Sequence, residues 1–373
     1  MSTASATTSK RWVIKIGSAL LTDNGEGLAL KALDHWVEQI AELRKAGYDI
    51  VLVSSGAVAE GLTRLGWKTR PDSLHLLQAA AAVGQAGLVQ AYESRFKQFE
   101  ITTAQVLLVH EDLSSRKRYL NARQTLQSLL EFGVIPIINE NDTVATDEIR
   151  FGDNDTLAGQ VANLIDADKL LILTDQEGVF SDDPRVHADA VLIAEQDVHD
   201  VSLDHAAKDG SGTLGRGGMT TKIRAARLAA RSGASTIIAN GLTPSIITRL
   251  ANNESLGTQL TNTRKPITPR KQWLSGSLLV QGTLTIDEGA ARVIADAGSS
   301  LLPVGISAVS GIFDRGELVS CVNTKGQEVA RGLANYNSDE ATKIIGAASN
   351  QLADILGYGG DEEMIHRDNL VVL

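Results

Sequence analysis

The chain is nearly without cysteine. Cys321 stands alone among 373 residues, which excludes an intramolecular disulfide and fits a reducing compartment such as the cytoplasm. It lies in an apolar run with Leu318, Val319 and Val322, where a thiol reads as core filler rather than as a nucleophile. No run of about 18 apolar residues occurs, so no membrane-spanning helix is expected. Positive charge is in deficit, with a formal net charge of −10. Such a surface repels phosphate backbones and anionic lipid, which disfavours bulk nucleic-acid or membrane binding. The Walker pattern GxxxxGK(S/T) is missing, and so is any internal repeat.

What remains is ordinary for a globular chain: 43 % hydrophobic and 21 % charged residues over a length that suits two domains. Residues 1–10 are rich in Ser, Thr and Ala and read as a disordered leader. From there to residue 265, short apolar runs alternate with helical patterns. RWVIKIG (11–17), DIVLV (49–53), AQVLLV (104–109), VIPII (134–138), KLLIL (169–173) and STIIA (235–239) read as buried strands. Leu33, Trp36, Val37, Ile40 and Leu43 share one helical face, with Gly47 as a C-terminal stop. Residues 155–165 and 220–232 read as further helices. Strand, helix, strand in succession implies parallel neighbours, so the expected fold class is α/β: a mainly parallel sheet sandwiched by helices.

The prolines and basic residues of 266–279 mark a linker, which could retain one last strand near 272–274. Beyond it, from 280 to 373, short runs broken by glycine (LLVQG, GTLTI, SSLLPVG, AVSGIF, GELVSCVN, EVARGL) suggest a small antiparallel barrel or sandwich and a C-terminal tail.

Four polar or glycine-rich turns follow the strands, where α/β sheets bind ligands. Lys15, Gly17 and Ser18 form the first; glycine admits an anion and the lysine brings charge. Ser54, Ser55, Gly56 and Ala57 form the second, at a helix start whose free N–H groups suit an anion or whose serine is simply a cap. The third is the polar stretch Asn139 to Asp155, with Glu140, Asp142, Asp147, Glu148, Asp153, Asn141 and Asn154. Such a stretch can be a metal site, a solvated loop, or a grip for a zwitterion, whose ammonium needs acceptors and whose carboxylate needs donors. VATDEIRF inside it could form a hairpin. The fourth has two parts: Thr174 and Asp175 after the fifth run, and Arg216, Gly217, Gly218, Met219, Thr220, Thr221 and Lys222 running into a helix. A glycine-rich loop ending in a lysine on a first helical turn can cradle phosphates. Phosphoryl transfer requires mainly positioning and positive charge, and two lysines from two loops supply the charge.

The segments VIKIGSALLT, VLVSSGAVAEG, LQAAAAVGQ, NARQTL, VIPIINENDTVAT, FGDNDTLAGQVA, KLLILTDQEGVFSDDPR and GGMTTKIRAA resemble the amino-acid kinase family, and within it the branch that phosphorylates glutamate. GSSLLPVGI, FDRGELV and ARGLANYNSDE resemble a PUA domain. The resemblance implies ATP with Mg²⁺, the metal being held mainly by the ATP phosphates rather than by the protein. It implies glutamate as substrate and glutamyl 5-phosphate, the first intermediate of proline synthesis, as product. Lys15 and Lys222 are similar to the two lysines that balance the phosphoryl charge, and Asp155 to the aspartate that holds them. Ser55, Gly56, Asp142 and Asn154 are similar to the glutamate contacts. Lys15, Gly17, Ser18, Thr174, Asp175 and Arg216 to Lys222 are similar to the nucleotide site, with Arg216 where many relatives carry a small residue. Proline as feedback inhibitor, a homo-oligomer (dimer or tetramer), and hand-off to a glutamyl phosphate reductase are further implications. The alternatives are another amino-acid or carbamate kinase of the same fold, or an RNA-binding PUA protein.

Overall fold

A computed structural model describes residues 10–22, 27–145, 154–208, 218–263, 280–297 and 299–373. The expected leader (apart from Lys10), the linker at 266–279 with its optional strand, and the VATDEIRF hairpin beyond Ala145 lie outside the described residues. The chain divides into two compact units; the main part of the first ends at Pro266 and that of the second begins at Ile267.

In the first unit the apolar runs become strands. β1 (Arg11–Ile16) leads through α1 (Ser18–Leu21) and α2 (Leu30–Lys45) to β2 (Asp49–Ser54). Helices α3 (Ala57–Arg64) and α4 (Leu74–Phe96) precede β3 (Thr103–Leu108). Then come α5 (His110–Ser114), α6 (Arg116–Glu131) and β4 (Ile135–Glu140). After α7 (Asn154–Leu164) follow β5 (Lys169–Thr174), β6 (Glu195–Asp197) and α8 (Ser202–Lys208). The unit closes with α9 (Met219–Ala230), β7 (Ser235–Asn240), α10 (Ile246–Ala251) and β8 (Thr258–Thr261).

The sheet order is β3-β4-β2-β1-β5-β7-β8-β6. All pairs are parallel except β7 with β8. The central strands are buried along nearly their whole length, as continuous apolar runs require when helices cover both faces. The α2 face expected from the sequence is buried: Leu33, Trp36, Val37, Ile40 and Leu43 join Ile14, Ile16 and Leu52 in one core. Trp36 Nε1 donates to the Gly241 carbonyl at 2.9 Å, so its one polar atom is satisfied inside that core. The chain leaves β1 toward β2 and leaves β5 toward β7, on opposite sides. The carboxyl ends of β1 and β5 therefore form a topological switch point, where such sheets open a crevice for ligands.

The second unit holds β9 (Gly282–Ile286), α11 (Glu288–Ala297), β10 (Ile306–Gly311), β11 (Leu318–Val322), β12 (Glu328–Leu333), α12 (Ser338–Lys343), α13 (Leu352–Leu356) and β13 (Leu370–Val372). Its sheet runs β10-β9-β11-β12-β13. The pairs are antiparallel apart from β9 with β11. Leu284, Ile286, Val319, Tyr336 and Ile365 centre its core. Cys321 lies fully buried among them, and burial pushes its thiol up to about 12. No described helix is long and apolar enough to cross a membrane.

Candidate active site

Lys15 is the fifth residue of β1 and points out of the sheet beside β5. Lys222 stands on the first turn of α9, and Asp155 on the first turn of α7. What brings the two helices together is Gly159. A Cβ there would meet the Ala225 carbonyl oxygen at 2.5 Å, so α7 and α9 cross with backbones nearly touching. Asp155 lies one turn before Gly159, and Lys222 one turn before Ala225. The close crossing therefore sets them face to face.

The result is a buried triad. Lys15 Nζ lies 2.5 Å from Asp155 Oδ1, and Lys222 Nζ lies 3.2 Å from Oδ2. The three residues are 6 %, 6 % and 1 % exposed in the order Lys15, Lys222, Asp155. Thr221 Oγ1 sits 2.7 Å from the same Oδ2 and 2.8 Å from the Gly218 carbonyl oxygen. Burial acts to raise the Asp155 pKa. The charges of Lys15 and Lys222 outweigh it, with hydrogen bonds from Lys15 and Thr221, and hold the carboxyl at about 2. Burial lowers the Lys222 pKa; Asp155 opposes this while Lys15 adds to it. Two cations and one anion leave a net positive charge in a nearly dry site, where each charge acts strongly.

On the same turn, Asn154 faces the other way. Its Nδ2 donates to the Ser54 carbonyl at 3.0 Å, to Ser55 Oγ at 3.0 Å and to Asn139 Oδ1 at 2.8 Å. These bonds tie the ends of β2 and β4 to α7. Gly56 follows with φ 100° and caps α3 without a side-chain hydrogen bond. Only glycine takes that conformation without strain, and it leaves the first N–H groups of α3 unclaimed by a cap side chain. Asp142 lies just beyond β4. Burial pushes its carboxyl up to about 6, and the positive charge of Arg70 pulls the other way.

The remaining expected residues lie at the ends of β1 and β5 and at the start of α9. Gly17 donates its N–H to the Leu173 carbonyl at 3.0 Å, which fixes the β1 turn against β5. Ser18 opens α1 and is exposed. Thr174 Oγ1 bonds Asp175 Oδ1 at 3.1 Å at the end of β5. The Asp175 charge also acts on Lys222. Gly218 caps α9 with no side-chain hydrogen bond, and a Cβ there would meet none of the described residues within 4 Å. Met219, Thr220 and Thr221 form the turn that carries Lys222. Arg216, Gly217, Asp147, Glu148 and Asp153 lie outside the described residues.

Two residues that the sequence reading did not single out also belong here. Gln85 and Tyr92 on α4 reach Asn139 and Ser54 at 2.8 and 3.0 Å, and Asn139 itself links Gln85 to Asn154. The available signal was a glutamine set among the alanines and glycines of α4.

The description "amino acid kinase family" matches residues 10–240, and "PUA domain" matches residues 282–356. The chain belongs to the amino acid kinase family. The resemblance read from the motifs is thus borne out for both units. Among curated relatives, the glutamate 5-kinase of Hahella chejuensis is 60 % identical over 98 % of this chain and 94 % of its own length. That of Saccharophagus degradans is 60 % identical over 98 % of each. Among solved structures, a carbamate kinase from Giardia lamblia bound to AMP-PNP is 17 % identical. It superposes with a TM-score of 0.50 over 68 % of this chain and 99 % of that one; at that identity the likeness concerns the fold alone.

Proposed function

We propose that the protein transfers the γ-phosphoryl group of ATP to the side-chain carboxylate of L-glutamate, the activity of a glutamate 5-kinase. The product is L-glutamyl 5-phosphate, the first intermediate on the way to proline. The observation that carries this reading is the Lys15–Asp155–Lys222 triad, with Asn154 beside it on the same helical turn.

The chemistry fits the residues. A carboxylate is already anionic at neutral pH, so the nucleophile needs no general base. A carboxylate oxygen bonds to the γ-phosphorus while the bond from phosphorus to the bridging oxygen of ADP breaks. Charge spreads over the phosphoryl oxygens, and preorganised cations lower the barrier. Lys15 and Lys222 are those cations. Asp155, held ionised, keeps both ammonium groups converging on one place rather than acting as a base. Two ammonium donors suit phosphate oxygens, so Mg²⁺ would arrive on the nucleotide and neutralise part of its charge.

Gly17, Ser18, Thr174, Asp175 and the turn from Gly218 to Lys222 make up the nucleotide side, with Arg216 and Gly217 preceding that turn. The N-terminus of α9 offers uncapped N–H groups for phosphate. Ser55, Gly56, Asp142 and Asn154 make up the glutamate side. Asp142 and the Asn154 carbonyl accept from the α-ammonium, and the N–H groups at Gly56 and the Ser55 hydroxyl donate to carboxylate. Proline shares the α-amino and α-carboxylate groups and would compete there. The enzyme is expected in the cytoplasm as a homo-oligomer, passing its hydrolysable acyl phosphate to a glutamyl phosphate reductase.

ADP release with Mg-ATP tests the reading. Glutamate should support turnover and proline should suppress it competitively. Turnover with carbamate or N-acetylglutamate but not glutamate would overturn the substrate assignment.

A further inference from the structure

Helix α4 carries three polar side chains spaced seven apart: Gln78, Gln85 and Tyr92. Seven residues are nearly two turns, so the three lie along one stripe. Each holds a different part of the glutamate side. Gln78 Nε2 donates to the Ala145 carbonyl at 3.0 Å. Gln85 Oε1 accepts from Asn139 Nδ2 at 2.8 Å. Tyr92 and Ser54 hydroxyls meet at 3.0 Å. The stripe cannot slide along α3. A Cβ at Gly84 would stand 1.8 Å from the Ala57 carbonyl oxygen, and one at Gly61 would stand 1.7 Å from the Ala80 carbonyl oxygen.

The amide orientations in the middle of this stripe are fixed by groups that have only one role. The Glu140 backbone N–H can only donate, and it donates to Asn139 Oδ1 at 2.9 Å. Asn139 therefore turns Nδ2 toward Gln85, which must answer with Oε1. The Ser54 carbonyl can only accept, so Asn154 turns Nδ2 toward it, with Asn139 Oδ1 as a further acceptor. Both Asn154 protons are committed to protein acceptors. Its Oδ1 forms no hydrogen bond among the described residues.

The same logic leaves Gln85 Nε2 buried without a partner among the described residues, on a residue only 9 % exposed. An unpaired buried donor is costly, and an apolar side chain at that position would avoid the cost. A glutamine kept there solely for packing is therefore a poor choice.

We propose that Gln85 is a positioning residue for the amino-acid substrate. Its Oε1 holds Asn139 Nδ2 in the orientation that the Glu140 N–H sets, Asn139 Oδ1 in turn holds Asn154 Nδ2, and Asn154 then presents Oδ1 as an acceptor for the substrate ammonium. The inference rests on the glutamate reading above and adds a residue that does not touch the substrate. It also assigns the atom of Asn154 that does.

Three variants test it, with the parent's glutamate-dependent ADP release measured first. Gln85→Met keeps the length of the side chain and removes the acceptor. Glutamate KM should rise about tenfold or more, the size of a lost hydrogen bond to a charged group, with ATP KM unchanged within about twofold. Gln85→Glu keeps an oxygen acceptor and should stay within about threefold of the parent. Inhibition by glutarate, which lacks the ammonium, should have the same Ki in parent and Gln85→Met. In the Asn154→Ala background, adding Gln85→Met should change glutamate KM by less than about twofold. Should Gln85→Met fail to fold, Gln85→Asn withdraws the same acceptor and carries the same expectations. Equal losses in the Met and Glu variants, a parallel rise in ATP KM, a weakened glutarate Ki, or full additivity with Asn154→Ala would each overturn the positioning role. A parent with no glutamate turnover would overturn the functional reading itself; a working parent with an unaffected Gln85→Met would overturn only this inference.

Discussion

Asn154 and Asp155 are neighbours on one helical turn, yet they belong to two differently built halves of the proposed site. The Asp155 half is made of charges: two lysines and one carboxylate, all nearly excluded from water. The Asn154 half is made largely of neutral amides and hydroxyls, joined from Gln85 through Asn139 to Ser55. The difference follows from what each half meets. Phosphoryl transfer redistributes charge, so fixed charge at the oxygens lowers the barrier. The α-ammonium and α-carboxylate of the amino acid keep their charges throughout, so their recognition is a matter of which atoms donate and which accept. The charged half should therefore control turnover, and the amide half should control affinity.

The largest expected effect comes from removing a charge. Lys15→Ala and Lys222→Ala should each lower kcat by about 10²–10³ with the fold retained; near-normal turnover in both, by initial rates, would break the comparison at its stronger end. Gly159→Ala attacks the same half without touching a charge. Its methyl group must push α7 off Ala225 and part Asp155 from Lys222. A displacement on the order of 1 Å can cost about 10² in rate, so kcat should fall while glutamate KM changes little. Asp142→Asn belongs to the other half and should raise glutamate KM about tenfold at nearly constant kcat.

Smaller effects follow from pH. Asp142 offers a negative charge to an ammonium only when ionised, and its pKa is raised to about 6 by burial. Glutamate affinity is thus present above that pH and lost below it. Between pH 7 and pH 5 the glutamate KM should rise roughly tenfold, and Asp142→Asn should flatten that profile. The Asp155 pKa is shifted the other way. Its carboxyl is held at about 2, below the ordinary value of 3.8, so its contribution to stability is complete above about pH 4 and is lost as pH falls through 2. Thermal unfolding of Asp155→Asn should lack that part of the acid slope. At neutral pH the variant should also be less stable by about 3–5 kcal/mol, because two buried lysines lose their counter-ion.

Much of this was legible in the sequence, for definite reasons. Five of the six strands read from the sequence are buried, continuous apolar runs because helices cover both sheet faces, and such runs announce themselves; β3, expected to be buried, lies at the sheet edge and has only Leu108 buried. β6 and β8 escaped notice because they are short and polar, with Glu195 and Gln259 exposed near the sheet edge. In the second unit the parallel pairing of β9 with β11 is a long-range fact that hairpin signals do not encode. The charged half of the site could be read because lysine and aspartate beside glycine stand out after a strand. The amide half could not. Gln85 lies 54 residues from Asn139, and its role is set by the lone pairs of Ser54 and the N–H of Glu140, which only the fold brings within reach.

Initial-rate kinetics on Lys222→Ala beside Asp142→Asn, with glutamate varied at saturating Mg-ATP, test the division most directly. The expected result is a loss of about 10² or more in kcat for the lysine variant and a rise in glutamate KM alone for the aspartate variant. Equal losses of kcat in both, with KM unchanged, would contradict it.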